Sequence, residues 1–327
     1  MFNPKAKLVK KLFSKDIKKI PTRHGYGEGV VLAGEKNKNI VVLCCDLTES
    51  TRNHLFKQKF PDRFIEAGIA EQNMAAMAAG MALCTKVPFI ASYAMFSPGR
   101  AWEQIRTTIC YNETNVKIVG AHAGVSVGPD GATHQAIEDI ALTRVLPKMT
   151  VVVPCDYEEA KKATIEIAKI VGACYIRLGR EATPVFTTPK TPFKIGRAEI
   201  LREGKDVTIV ACGSLVYEAL KAAKELEKEK IDVRVINNHT IKPLDKSTLL
   251  QAAKQTGAFI TVEEHQKNGG MGSSVCEFLA ENYPIPVERI GVDDMFGESG
   301  TPEELLDKFG LTAPYIIKAV KKVLKRK

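Results

Sequence analysis

Short, mainly apolar runs, one of them unbroken at 40–45, alternate along this chain with longer stretches of helical character. Residues 40–45 (IVVLCC), 87–92 (VPFIAS), 116–121 (VKIVGA) and 150–154 (TVVVP) are such runs. A continuous apolar run of this length suits a strand buried on both faces of a parallel sheet. Thr22 to Ala33, AWEQIRTTICY (101–111) and Tyr157 to Val171 read as helices between them. The stretch around which the rest is organised is RFIEAGIAEQNMAAMAAGMAL, residues 63–83. An extended piece, Phe64 to Ala67, meets Gly68, and a helix follows. Ala75, Ala76, Ala78, Ala79 and Ala82 are good helix formers with little bulk. Met74, Met77, Met81 and Leu83 supply apolar contacts, so the pattern predicts a buried helix that packs close to another backbone. Glu71 and Gln72 sit at its first turn, where free backbone N–H groups favour negative charge. Residues 183–194 carry Pro184, Pro189 and several threonines with little periodicity, which predicts a linker. Beyond it, DVTIVACGS, IDVRVIN, AFITVEE and IPVERIGV read as strands, and LVYEALKAAKELEKE as an amphipathic helix. The expected fold class is α/β, with two doubly wound domains of mainly parallel sheet at 22–182 and 195–327, after an arm at 1–21.

Composition narrows the class. The chain has 327 residues, 45% hydrophobic and 26% charged, as in a globular protein. No apolar run reaches the length of a membrane span, and the N-terminus has no secretory pattern. The first 23 residues are Lys-rich with Asp16 as the only acid, and they read as a solvated arm. A formal net charge of +9 suits nucleic acid, an acidic partner subunit or phosphorylated substrates. No nucleic-acid motif supports the first. The eight cysteines include no Cys-x-x-Cys, and they read as reduced core residues of a cytoplasmic protein.

Candidate chemistry lies where the apolar runs end, because ligands bind at the carboxyl ends of parallel strands. Asp46-Leu47-Thr48-Glu49-Ser50 follows the first run, and Tyr93 to Arg100 follows the second. His122 to Gln135, HAGVSVGPDGATHQ, follows the third. Its glycines allow tight turns and close approach to a ligand. It also gathers His122, Asp130 and His134 in one loop.

Gly68-Ile69-Ala70-Glu71-Gln72 with its small-residue helix resembles the pyrimidine-binding domain of transketolases and of deoxyxylulose-phosphate synthase. The resemblance implies thiamine diphosphate as cofactor. It implies that Glu71 hydrogen-bonds N1′ of the aminopyrimidine and favours the imino form that deprotonates the thiazolium. A buried acid suits that task. By the same resemblance Phe96 stacks on the aminopyrimidine, with Asp46 and Trp102 as further cofactor-side residues and Tyr93 as a neighbour. The spacing of His122, Asp130 and His134 matches transketolases, where all three contact the sugar; the two histidines and Glu71 are the implied catalytic set. Deoxyxylulose-phosphate synthases usually carry an acid where His122 stands, and the beta subunits of pyruvate-type dehydrogenases lack the pattern. His122 therefore favours ketol transfer. Thr22-Arg23 and Leu178-Gly179-Arg180 resemble the family's phosphate-binding pieces, with Ser50 beside them. The planar fork of Arg suits phosphate. Arg177 competes with Arg180 for that role, and the resemblance favours Arg180.

Lys242-Pro243-Leu244-Asp245 and Glu263-Glu264-His265 resemble the transketolase C-terminal domain, whose implied role is dimer contact, with His265 structural. Full-length family members begin with a domain marked by Gly-Asp-Gly, which holds the diphosphate and Mg²⁺. No Gly-Asp-Gly occurs here. The resemblance thus implies the C-terminal subunit of a split transketolase. Its N-terminal partner would hold the Mg²⁺ ligands in an α2β2 assembly, and this chain would hold no metal. The alternative enzyme is half of a deoxyxylulose-phosphate synthase-like or acyloin-forming enzyme. The non-enzyme alternative is a regulatory relic or basic nucleic-acid binder, and a relic would have lost some of Glu71, Phe96, His122, Asp130 and His134.

Overall fold

A computed structural model describes residues 1–327. The strands are β1 (Lys19–Pro21), β2 (Ile40–Cys44), β3 (Phe64–Glu66), β4 (Val87–Tyr93), β5 (Lys117–Ala121), β6 (Thr150–Val152), β7 (Cys174–Arg177), β8 (Ala182–Pro184), β9 (Glu199–Arg202), β10 (Val207–Ala211), β11 (Val233–Asn237), β12 (Thr240–Lys242), β13 (Phe259–Gln266) and β14 (Val287–Val292). The helices are α1 (Thr22–Lys36), α2 (His54–Lys59), α3 (Glu71–Leu83), α4 (Trp102–Gln104), α5 (Asp139–Arg144), α6 (Tyr157–Ile167), α7 (Leu215–Lys228), α8 (Lys246–Thr256), α9 (Met271–Asn282), α10 (Pro302–Lys308) and α11 (Ala313–Leu324). Helix α4 runs on as a wider π-type turn over Ile105–Tyr111.

Two mostly parallel sheets organise the chain, one in each domain. The first has the order β12-β6-β7-β5-β4-β2-β3 and the second β14-β13-β10-β11-β9. All neighbours run parallel except β12 against β6 and β9 against β11. β2, β5 and β7 are buried throughout, Lys117 of β5 and Arg177 of β7 included. In the first sheet the chain visits β3 on one side of β2 and then β4 on the other. A crevice therefore opens at the carboxyl ends of β2 and β4.

Helix α1 is glycine-rich, yet it runs three residues past the expected end at Ala33. Packing accounts for this. A Cβ at Gly25 would lie 2.2 Å from the Tyr157 carbonyl oxygen, so only glycine lets α1 press this closely on α6. That contact fixes the first turn of α1, where Arg23 stands.

Three expectations are corrected. The arm is not solvated. Asn3 N donates to Leu201 O at 2.9 Å, Val9 N to Phe186 O at 3.0 Å, and the Tyr217 hydroxyl to Leu12 O at 3.0 Å. Ala6 and Leu12 are buried while the arm's lysines point outward, so alternate apolar residues tie it down. The linker is pinned as well. β8 pairs with β1, and the buried Asp156 carboxylate accepts from Phe186 N, Thr187 N and the Thr187 hydroxyl. Finally, α3 is buried on one face only. Glu71, Met74, Ala75, Ala78 and Ala79 are buried, whereas Ala76, Met77, Gly80 and Leu83 are exposed. Of the eight cysteines, Cys84 is exposed and Cys276 half-buried, and all are free thiols.

Candidate active site

The crevice gathers side chains from four strand ends and two helix starts. Glu71 opens α3 and is 2% exposed. The Ser92 hydroxyl, on β4, donates to its Oε1 at 3.2 Å. Oε2 is buried without a hydrogen bond, and the Arg100 guanidinium approaches it to 3.7 Å. An orphaned carboxylate oxygen in a closed site calls for a donor from outside the chain. Phe96 lies between Ser92 and Arg100 in the chain, on the same strand-to-helix turn. A buried acid with a free oxygen, and an aromatic ring on the turn after β4, fit the aminopyrimidine of thiamine diphosphate. Those residues would hold it.

The loop after β5 adds the histidines. His122 is 1% exposed, on left-handed backbone at φ 55°. Asp46, after β2, has the same φ of 55°, so strained backbone marks both strand ends. Tyr93 stacks on the His122 ring at 3.9 Å between centroids. His134 meets the edges of Phe96 and Tyr93 at 5.5 and 6.2 Å. Arg23 Nη1 reaches Ser50 O at 2.8 Å and His122 Nε2 at 3.4 Å. Burial pushes the His122 imidazole down to about 3, helped by the cations of Arg23 and Arg180 and by His134. The ring is therefore neutral at pH 7. With Arg23 donating to Nε2, its proton sits on Nδ1, which has no partner in the chain.

Arg180 follows β7, donates to Val127 O at 2.7 Å and is partly exposed. Arg177 is fully committed elsewhere. Its Nε donates to Asp139 at 2.8 Å, and its Nη2 to Ala136 O and Glu264 O. Arg180 pairs with the half-exposed Glu181 at 3.1 Å, so of the two arginines it is the more open to a ligand. Asp130 is exposed on its turn without a hydrogen bond. Asp46 is exposed too, and its N–H donates to Glu66 Oε1 at 2.7 Å. Trp102 is held by its indole N–H, which donates to Leu142 O at 2.8 Å, and it packs against the core. No group of three or more His, Cys, Asp or Glu is placed to hold a metal ion. A cavity of about 860 Å³ in the cleft between the domains backs onto this site, lined in part by Thr22, Ser126, Gly179 and Glu264.

The chain belongs to the transketolase family. Residues 18–185 match the description "Transketolase, pyrimidine binding domain", and residues 196–316 match "Transketolase, C-terminal domain". A Methanocaldococcus jannaschii protein named as a transketolase C-terminal section is 42% identical, covering 93% of this chain and 96% of that protein. The 6-deoxy-6-sulfo-D-fructose transketolase subunit SqwH of Clostridium sp. is 40% identical, covering 93% and 95%. The chain spans only 49% of the Rattus norvegicus transketolase, at 40% identity. Among solved structures, a split-gene transketolase described as an inactive beta4 tetramer superposes with a TM-score of 0.88. It is 49% identical, covering 94% of this chain and 99% of that one. The Campylobacter jejuni transketolase, 23% identical with a TM-score of 0.80, shares the fold.

Sequence reasoning missed several residues that build this transketolase-family site. Glu66 is one: its carboxylate accepts from Asp46 N, Gly68 N and the Thr48 hydroxyl, and so fixes the turn leading to Glu71. Ser92 and Arg100 are others. Ser92 ends an apolar run, a signal that could have named it. Arg100 closes the candidate segment from Tyr93, but its pairing with Glu71, 29 positions away, gave no local signal.

Proposed function

We propose that this chain is the C-terminal subunit of a thiamine diphosphate-dependent transketolase. It transfers a two-carbon ketol unit between phosphorylated sugars, in the cytoplasm, with a separate N-terminal subunit that holds the diphosphate and Mg²⁺ in an α2β2 assembly. One observation carries this reading: the free oxygen of buried Glu71 shares a crevice with His122, His134 and two arginines.

When bound, thiamine diphosphate supplies the electron sink for breaking a carbon–carbon bond next to a carbonyl. The chain's residues do the rest. Glu71 Oε2 meets a pyrimidine nitrogen and holds a proton there. Phe96 gives the ring a face to lie on, and Ser92 and Arg100 fix the carboxylate. His122 offers its Nδ1–H to a sugar oxygen as a neutral donor, and His134 and Asp130 contact sugar hydroxyls. Arg23 and Arg180, with Ser50, take the terminal anion, where a cationic fork binds oxyanions in two bonds. The relative named for a sulfonated fructose suggests that this anion can be a sulfonate as well as a phosphate. A deoxyxylulose-phosphate synthase-like or acyloin-forming half-enzyme is the other reading, and His122 supports it less.

The test uses the complex reconstituted with its N-terminal subunit. In Glu71→Gln, exchange of the thiazolium proton of bound cofactor falls by orders of magnitude while the melting temperature holds. Near wild-type exchange in that variant would refute the assignment.

A further inference from the structure

The sugar loop, residues 122–135, is supported from across the domain boundary. Glu264 lies near the carboxyl end of β13, in the second domain, and is 6% exposed. Its Oε1 accepts from Ser126 N at 2.6 Å. Loop and carboxylate are built for each other. Gly124 sits at φ +90°, and a Cβ there would lie 2.3 Å from Glu264 Oε1. Two further supports come from the same domain. Gln135 Nε2 donates to Glu298 O at 2.9 Å, and Ser299 Oγ fills the space where a Cβ at Gly131 would lie.

The Ser126 bond leads toward the anion site. Ser126 lies in the tight turn Val125–Val127, and Val127 O receives Arg180 Nη1 at 2.7 Å. Glu264 is thus two hydrogen bonds from the guanidinium that faces the sugar's terminal anion. An apolar residue at this place would leave the Ser126 N–H buried and unpaired. A buried carboxylate is itself costly, and charge-assisted bonds of this kind fix geometry more than they add stability.

We propose that Glu264, from the C-terminal domain, is a positioning residue of the sugar site, fixing through Ser126 the turn on which Arg180 rests. This deepens the transketolase reading and rests on it for the loop's role, while the loop's rigidity can be measured independently. It gives the second domain a part in substrate recognition beyond subunit contact.

The test compares Glu264→Leu, Glu264→Asp and Glu264→Gln in the enzyme reconstituted with its N-terminal subunit. Gln keeps an acceptor for Ser126 N–H and can turn its amide nitrogen toward the Ser214 hydroxyl, now 3.5 Å from Oε2. Asp keeps the charge but withdraws the carboxylate by one methylene. If Leu impairs folding, Asp alone carries the test. The first readout is amide hydrogen exchange over residues 124–128: about tenfold faster in Leu and Asp, near wild type in Gln. The second is the KM for fructose 6-phosphate, raised about tenfold in Leu and Asp with little change in kcat, and near wild type in Gln. The KM for hydroxypyruvate, which carries no phosphate, changes little. Unchanged exchange in both Leu and Asp would overturn the proposal, as would a Gln variant impaired like Leu. If the wild-type complex turns over no sugar at all, the transketolase reading fails, and the exchange data still decide whether Glu264 holds the loop.

Discussion

His122, neutral and carrying a free Nδ1–H, sits between an aromatic stack and two arginines, so its chemistry is donation and not charge. Under the proposed function, anion recognition falls to Arg23 and Arg180. Arg180→Ala in the reconstituted enzyme should lower the ratio of kcat/KM for fructose 6-phosphate to that for hydroxypyruvate by about 2 kcal/mol, some 30-fold. An unchanged ratio would remove Arg180 from the anion site. Asp130→Ala should lower kcat/KM for ketose donors by a similar amount while leaving cofactor affinity alone. Cofactor affinity that falls with it would place Asp130 on the wrong ligand. The loop histidines were legible in the sequence because their spacing is local, with His122, Asp130 and His134 in one run of fourteen residues. The choice between Arg177 and Arg180 was not legible from the residues themselves. It turns on burial: Asp139, 38 positions away, closes over Arg177.

Strand and helix identities followed from periodicity, but the faces they present did not. The apolar, small-residue character of α3 predicted burial on every side, yet Met77 and Leu83 stand 36% and 72% exposed. The open face is the natural seat for another subunit. A Cβ at Gly80 meets nothing within 4 Å, so Gly80→Glu should fold normally and fail to assemble with the N-terminal subunit. Size-exclusion chromatography with light scattering reads this, and normal assembly would place the interface elsewhere. Strand β12 escaped the sequence because it leaves the second domain to pair with β6 of the first, a long-range pairing no local pattern encodes. At that joint His239 is fully buried against Phe193, and burial pushes its imidazole down from 6.5 to about 3. Between those values the unfolded chain binds a proton that the folded chain refuses. Stability from this group is therefore complete above pH 6.5 and is lost as pH falls toward 3. His239→Phe keeps the ring stack and should flatten the fall of the melting temperature from pH 6.5 to pH 4. An unchanged slope would assign the acid lability to other groups.

As a whole molecule, the chain joins two α/β domains through a strand exchange, a pinned linker and a folded N-terminal arm. The arm's alternation of lysines with Leu8, Leu12 and Phe13 gave little warning that it would pack, because its apolar residues find their partners far away in the chain, among them Phe186 and Tyr217. Burying them leaves the arm's lysines exposed. The free oxygen of buried Glu71 and the open face of α3 support the proposal that the chain carries half of an active site. Activity of the rigorously pure chain, supplied with thiamine diphosphate, Mg²⁺, a ketose phosphate donor and an aldose phosphate acceptor, tests that claim most directly. No ketol transfer should appear until the N-terminal subunit is added, and adding it should restore turnover. Full activity from the chain alone would contradict the account.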